Sequence, residues 1–264
     1  FALRRNALGL ARTVIESGFN LDVKTLLASA VGQASLAIAE TSPQDASKVK
    51  DHFKGTGISV ADAPSAEQGW VASHLGKFFA EKGQTLHFLE SGSITNDLYD
   101  FILDRLRGYY ADKGVPAAHF NAVAERKPTS LYDFDRRIDA IGTFAQLPEA
   151  AALAAANKRI GNILKKADIA IPGMEDTTLL VEPAERALAE AVEAAYDDTG
   201  HALSHGDYVD VLAHLARLRP QVDAFFDAVM VNAEDPALRA NRLALLKRLA
   251  DRLGSVAAIE HLST

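Results

Sequence analysis

The sequence predicts an all-α protein, a helical bundle, and three observations lead to that prediction. Apolar residues recur at the helical spacing of three and four along most of the chain. No alternation of apolar and polar residues, the pattern of a half-buried strand, continues beyond about five residues. Prolines and glycines stand where helices would begin and end, as at Pro236 and Gly114.

The same periodicity sets the expected helices in chain order. They cover 2–16, 21–39, 66–81, 96–111, 117–126, 131–146, 149–167, 184–198, 207–218, 221–231 and 236–260. Four of them have a proline at or just before the first turn, where the missing N–H removes no helical hydrogen bond. These prolines are Pro116, Pro148, Pro183 and Pro236, and Gly18, Gly83 and Gly114 are the expected helix stops.

Three regions make up the predicted domain organisation. Residues 1–40 would be the helical tail of a preceding domain, 41–84 a linker or excursion with a short helix, and 85–264 a helical domain. The excursion is expected because 41–65 is punctuated by Gly, Ser and Pro and is weakly apolar. The chain begins with Phe1 inside an amphipathic run, so we expect it to be part of a longer protein.

Composition limits the function classes. The chain has no cysteine, which excludes disulfides and thiolate chemistry, and no apolar run approaches the roughly 20 residues that cross a bilayer. We therefore expect a cytoplasmic protein with no membrane partner. A net charge of −7 argues against general affinity for nucleic acid, but the charge is unevenly distributed. Residues 101–170 carry 11 basic and 8 acidic side chains, whereas 171–210 carry 1 and 10, so a polyanion would meet the first segment.

The helix predicted over 149–167 has one apolar face and one basic face. Leu153, Ile160 and Leu164 fall together on the apolar face. The opposite face carries four cations around an amide: Lys158, Arg159, Asn162, Lys165 and Lys166. Such a face can be merely solvated, or it can track an RNA backbone, because clustered cations bind phosphates and release counterions. The second interpretation makes these five residues candidate RNA contacts.

A second candidate segment is LDRLRGYY at 103–110. Arg107 could contact a phosphate, and a tyrosine could stack on an unpaired base. Tyr109 falls on the apolar stripe of its helix and is expected in the core. Tyr110 falls off that stripe, so we predict that it faces solvent beside the basic helix.

The stretch VDAFFDAVMVNAEDPALRANRLALL at 222–246 places charge at packing positions. Arg242 falls inside a leucine stripe, and Asp223 and Asp227 flank the aromatic face one helix earlier. An arginine that points inward needs an anionic partner, because an unpaired buried charge is very costly. We therefore predict a structural clasp, an ion pair between Arg242 and one of these aspartates that joins the two helices.

Catalytic signatures are absent from the sequence. It has no Walker-type phosphate loop, no GxGxxG after a strand, no GxSxG and no HExxH. His201 and His205 share helical spacing near Asp207 and Asp210, which would suit a divalent ion in a metal-dependent hydrolase. A solvated turn explains this group equally well, and we predict neither a catalytic residue nor a metal site.

Several ordered motifs together resemble one known family. In addition to 222–246, the matching stretches are FALRRNALGLARTVIE, FNLD, FILDRLRGYYADKG, FDRRIDAIGTF and LAAANKRIGNILKK. They resemble the C-terminal part of the β subunit of the bacterial, two-subunit type of glycyl-tRNA synthetase, in the family's order and over most of the chain. The regions 41–82 and 168–205 match least.

The resemblance implies a specific function. The family's C-terminal region is similar to the anticodon-binding domain of arginyl-tRNA synthetases, so this chain is expected to bind tRNA-Gly and to support ATP-dependent attachment of glycine. The α subunit would be the protein partner and would hold ATP and magnesium, while this fragment would lack the catalytic site. What precedes Phe1 would be the larger part of the β subunit. The alternative is a helical subunit-assembly module without direct RNA contact.

Overall fold

A computed structural model of the chain describes residues 2–30 and 94–263, and these ranges are mainly α-helical, as predicted. The helices are α1 (Ala2–Glu16), α2 (Ile94–Asp112), α3 (Ala117–Ala124), α4 (Leu131–Phe144), α5 (Ala150–Lys165), α6 (Pro183–Ser204), α7 (Tyr208–Ala216), α8 (Arg219–Ala228) and α9 (Pro236–Leu253). A further helical segment covers 23–30. Short 3-10 turns lie at Thr177–Leu179 and Ile259–Leu262. The predicted excursion at 41–84, the helix at 66–81 and the helix stop at Gly83 lie outside the described residues.

The chain divides into two compact units. The first comprises Phe1–Lys113 and Thr129–Asp133, and the second comprises Gly114–Pro128 and Phe134–Thr264. The expected boundary at residue 85 differs from this division, because α2 belongs to the first unit, where it packs against α1. No helix in the described part of the chain is long and apolar enough to cross a membrane.

The first unit is built on the contact between α1 and α2. The buried face of α2 consists of Tyr99, Ile102, Leu103, Leu106 and Tyr110. An isolated antiparallel bridge joins Asp22 to Ser130, and the N–H of Val23 donates to the carbonyl of Thr129 at 2.8 Å. Apart from this single bridge, the described residues contain no β-structure and form no strand.

The second unit is organised around α9. Helices α5 and α6 both pack against α9, and α8 contacts α5 and α6. The buried face of α9 includes four leucines of the predicted stripe, Leu245, Leu246, Leu249 and Leu253, and also Leu243. The fifth predicted leucine, Leu238, is half-buried. Asp235 caps this helix, because its carboxylate accepts from the N–H groups of Ala237 (2.7 Å) and Leu238 (3.3 Å).

The segment between α5 and α6 is fixed onto α9 by polar side chains. The Asn241 side chain forms two hydrogen bonds with the backbone of Asp176, accepting from its N–H at 2.6 Å and donating to its carbonyl at 3.0 Å. Arg248 donates to the buried carboxylate of Glu175 at 2.5 Å. These contacts lie within the second unit and satisfy backbone groups in a segment that has little regular structure of its own.

The end of α6 differs from the prediction. The periodicity predicted that the helix would stop at residue 198, but it continues to Ser204. Gly200 lies inside the helix, and the left-handed residue that ends it is Gly206, with φ +70°. The positive φ is what favours glycine at this position, because the atom nearest to an added Cβ, 2.7 Å away, is a guanidinium nitrogen at the flexible end of the Arg136 side chain, which can move.

Candidate functional site

A groove of about 850 Å³ runs along α5 in the second unit. One wall is the basic face of α5 and the short segment after it. The other wall is formed by the loop after α8, the first turns of α9 and the C-terminal segment at Ser263. Charged and amide side chains make up most of the polar lining: Lys158, Arg159, Lys166, Arg239, Asp168, Asn162 and Asn232. Ala155, Ile163, Ala167 and Leu243 provide apolar lining.

The amphipathic character of α5 creates the basic wall. Leu153, Ala154 and Ile160 are buried against the rest of the unit, which directs the cations of the helix outward. The helix is further fixed by Asn157, whose amide nitrogen donates to the carboxylate of Glu260 at 2.8 Å. The face predicted from the sequence is therefore the face that lines the groove.

The structure brings together most of the predicted basic residues. Lys158, Arg159, Asn162 and Lys166 are exposed and line the groove. Lys165 is also exposed, but it is not part of the groove lining. Their contact with RNA, like that of the exposed Arg107 on α2, remains a prediction.

None of the groove cations has an acidic partner in the described part of the chain, whereas some other cations of this unit do. Within the described ranges, Lys158, Arg159, Lys166 and Arg239 form no ion pair with a carboxylate. By contrast, Lys247 pairs with Asp251 at 2.5 Å and Arg248 with Glu193 at 2.5 Å. Four cations against one lining carboxylate give the groove a positive potential that favours an anionic ligand.

Arg239 is a groove residue that the sequence reasoning missed. It is half-buried, and its Nε–H is buried without an acceptor among the described residues. A buried N–H without an acceptor costs about 1–3 kcal/mol, so an anionic oxygen reaching this guanidinium would be well bound. Arg239 precedes Arg242 by three residues, but the linear sequence does not show that α5 lies opposite it.

The groove edge near Arg159 is supported by an aromatic ring. The Cζ of Arg159 lies 4.0 Å from the ring centroid of Phe226 on α8. This cation–π contact fixes the guanidinium beside the groove. Phe226 itself packs edge-on against the fully buried Phe225, with ring centroids 5.6 Å apart.

The prediction that Tyr110 faces solvent is wrong. Tyr110 is 1% exposed and lies on the buried face of α2, four residues after the fully buried Leu106. The buried stripe is displaced by one residue from the predicted one, so Tyr109 occupies the more exposed position. The Tyr109 hydroxyl donates to Glu16 at 3.3 Å, and Lys113 lies 4.4 Å from the centre of its ring. Tyr110 therefore packs the first unit and cannot stack on a base.

The predicted clasp is correct about the inward arginine and wrong about its partner. Arg242 is 7% exposed and pairs with Glu185 of α6, which is 1% exposed, through its Nε. Its Nη1 also donates to the carbonyl of Met230 at 2.8 Å. Asp223 and Asp227 lie on the exposed side of α8, and Asp223 contacts Arg219 one turn earlier, at 3.4 Å.

The end of α8 supplies a second acceptor for Arg242. The helix stops at Ala228 because Val229 has an extended backbone, with φ −112° and ψ 122°. The carbonyl of Met230, in the loop that follows, is therefore free of helical hydrogen bonds and accepts from Arg242. Glu185 could not be identified from local sequence, because it lies 57 residues before its partner.

The histidine pair near the end of α6 is not assembled as a metal site. The rings of His201 and His205 stack with centroids 4.1 Å apart, and Nδ1 of His205 lies 3.0 Å from the carbonyl oxygen of His201. Nowhere in the described ranges do three or more His, Cys, Asp or Glu side chains lie in an arrangement that could hold a metal ion. These histidines therefore give no support to the hydrolase alternative.

Two family models match complementary parts of the chain. Residues 1–125 match the model described as glycyl-tRNA synthetase beta subunit, and residues 153–259 match the DALR anticodon binding domain. The second match includes the basic face of α5, Arg239 and the Glu185–Arg242 pair. It does not include α1–α4.

Similar proteins carry one name. The chain is 64% identical, over all of its 264 residues, to the "Glycine--tRNA ligase beta subunit" of Xanthomonas campestris pv. campestris (strain 8004), and covers 31% of that protein. It is 55% identical over its full length to the protein of the same name from Xylella fastidiosa (strain M12), covering 34% of it. The chain thus spans about a third of the length of the curated relatives it matches. It belongs to the glycyl-tRNA synthetase β-subunit family, and the DALR anticodon-binding domain of that family occupies residues 153–259.

Proposed function

We propose that this chain is the tRNA-binding, anticodon-recognition region of a glycyl-tRNA synthetase β subunit, and that RNA binds in the groove beside α5. The observation that carries the proposal is the set of four groove cations without carboxylate partners among the described residues. The proposal is further supported by the match of residues 153–259 to an anticodon-binding domain.

The chemistry of the groove suits a single-stranded RNA loop. Lys158 and Lys166 are exposed and able to reach phosphate oxygens, which would release bound counterions. The amides of Asn162 and Asn232 can both donate to and accept from the edge of an unpaired base. Leu243 and Ile163 provide the apolar surface against which a base can rest.

The remaining parts of the activity belong to the longer protein. The complete β subunit would support ATP-dependent attachment of glycine to tRNA-Gly in the cytoplasm, together with an α subunit. ATP and magnesium would bind to that α subunit, and this chain would contribute by holding the tRNA. The names of the similar proteins support the assignment to a ligase made of different subunits.

The test compares two lysines of the groove with a neighbouring lysine outside it. In the full-length protein assembled with its partner subunit, Lys158→Ala with Lys166→Ala should weaken tRNA-Gly binding and lower the salt slope by about 1.4–1.8, for two lost phosphate contacts. Lys165→Ala should change the tRNA affinity and the salt slope much less, because Lys165 does not line the groove.

Melting temperature serves as the control, and all three lysines are exposed, so no variant should alter it appreciably. Unchanged tRNA affinity and salt slope in the Lys158/Lys166 variant would contradict the proposal. If that variant instead disrupted subunit assembly while binding tRNA normally, the assembly-module function would be supported.

A further inference from the structure

The contact between Arg159 and Phe226 gives the groove a flat cationic surface. The Cζ of Arg159 is 4.0 Å from the centroid of the phenyl ring, which is van der Waals distance for carbon. If the guanidinium instead pointed one N–H at the ring, its Cζ would lie farther than this from the ring centroid. The Arg159 plane therefore lies against the ring, with one face covered by Phe226 and the side chain still exposed at the groove.

This arrangement gives Arg159 a role that its lysine neighbours lack. Lysine is a compact point charge on a flexible stem, whereas arginine is planar and stacks on aromatic faces. The ring of Phe226 restricts the rotamers of Arg159, so less conformational entropy is lost when a ligand stacks on the uncovered face. Arg159 also forms no ion pair with a carboxylate in the described part of the chain, which leaves its orientation to the ring.

We propose that Arg159 is a stacking platform for one unpaired nucleobase rather than a phosphate contact. The base would lie on the uncovered guanidinium face, giving a three-layer stack of phenyl ring, guanidinium and base. Stacking on arginine planes is a common mode of recognising unpaired RNA bases, and it tolerates every base because each has a π face. This inference rests on the proposed function, since it needs RNA in the groove.

Asn162 is placed to read the base that Arg159 holds. It follows Arg159 by three residues, which puts the two side chains next to each other on the same side of α5, and both line the groove. An amide there can pair with a donor and an acceptor on the edge of the stacked base. Arg159 would thus contribute affinity for any base, and Asn162 would contribute preference among bases.

The decisive variant is Arg159→Lys, which keeps the charge and removes the plane. In the full-length protein, with tRNA-Gly as the ligand, a lost stack should weaken binding by at least about fivefold. The salt slope should stay unchanged, because the positive charge remains. Arg159→Ala should weaken tRNA-Gly binding at least as much as Arg159→Lys does. Arg217→Lys makes the same change at an exposed arginine outside the groove lining, and this control variant should bind as the wild type does.

A second measurement locates the base. Anticodon-loop nucleotides of tRNA-Gly are replaced one at a time by abasic residues. At one position, the abasic replacement should weaken binding to the wild-type protein. The same replacement should not weaken binding to the Arg159→Lys variant any further, because that variant has already lost the stack. Phe226→Leu, checked by its melting temperature, should weaken binding in the same way as Arg159→Lys, because it removes the ring that orients the guanidinium.

The outcomes separate this inference from the proposed function. If Arg159→Lys binds like wild type while Arg159→Ala loses about 0.7–0.9 of salt slope, Arg159 is a phosphate contact and the stacking inference is overturned. In that case the Lys158/Lys166 variant still weakens binding. If neither the lysine pair nor Arg159 affects tRNA binding, the groove is not the RNA site and both proposals fail.

Discussion

Replacing Arg242 with methionine tests how the second unit is held together. In the folded chain its guanidinium lies between Glu185 of α6 and the carbonyl of Met230. Methionine fills similar volume but leaves a carboxylate that is 1% exposed without its cation. Breaking one side of a buried ion pair costs about 3–5 kcal/mol, so the free energy of unfolding should fall by that amount.

A double variant gives the control for the size of this effect. In Arg242→Met with Glu185→Leu, no buried charge remains unpaired, and well-packed apolar replacements of buried ion pairs are often neutral. Glu185 also accepts from the N–H of Glu182 at 2.8 Å as part of the capping box of α6. Losing that cap costs about 1 kcal/mol, so the double variant should be destabilised by about that much.

The assay is urea unfolding followed by circular dichroism, with Asp223→Ala and Asp227→Ala as comparison variants. Both aspartates are exposed, so each of these changes should stay within about 0.5 kcal/mol of wild type. The reasoning would be refuted by a cost below about 1 kcal/mol for Arg242→Met. It would equally be refuted if the double variant were as unstable as the single one.

Three further changes test other parts of the structure. Tyr110→Ala should cost about 3–5 kcal/mol of stability in urea unfolding, as for a buried aromatic ring, and a near-neutral result would mean that Tyr110 is not core. Arg239→Ala should lower the salt slope of tRNA binding by about 0.7–0.9 with little change in melting temperature, and an unchanged slope would remove it from the RNA interface. Burial lowers the pKa of His119 below its usual 6.5, so the unfolded chain protonates first as pH falls through that value and stability declines. His119→Gln should flatten this decline in melting temperature between neutral pH and about pH 5, and an equally steep decline would show that another group causes it.

Local sequence was sufficient for features that depend on one helix. The all-α class, the start of α9 at Pro236 and the basic face of α5 are confirmed, because periodicity and capping are read within a few turns. The predicted end of α6 was wrong, because either of two glycines, Gly200 and Gly206, could have stopped the helix. Only Gly206 adopts the left-handed backbone that ends it.

Features that depend on the packing of two helices could not be predicted from local sequence. The buried stripe of α2 was displaced by one residue because Tyr109 and Tyr110 both suit an apolar face, and packing against α1 decides between them. The partner of Arg242 lies 57 residues away, and Asp223 and Asp227 were predicted instead because they are closer in sequence. Arg239 was missed for the same reason, since the α5 side of the groove is distant in sequence.

The acidic segment of the chain neutralises two arginines of α9. Residues 171–210 carry 10 acids, and three of them are partners of arginines on α9: Glu185 pairs with Arg242, while Glu175 and Glu193 both pair with Arg248. A helix as basic as α9 therefore presents little free charge from these positions. Three of the groove cations, Lys158, Arg159 and Lys166, lie on or just after α5, which does not pack closely against α6. Because Arg242 and Arg248 are neutralised by acids of this segment and the groove cations are not, we expect a polyanion to bind in the groove beside α5.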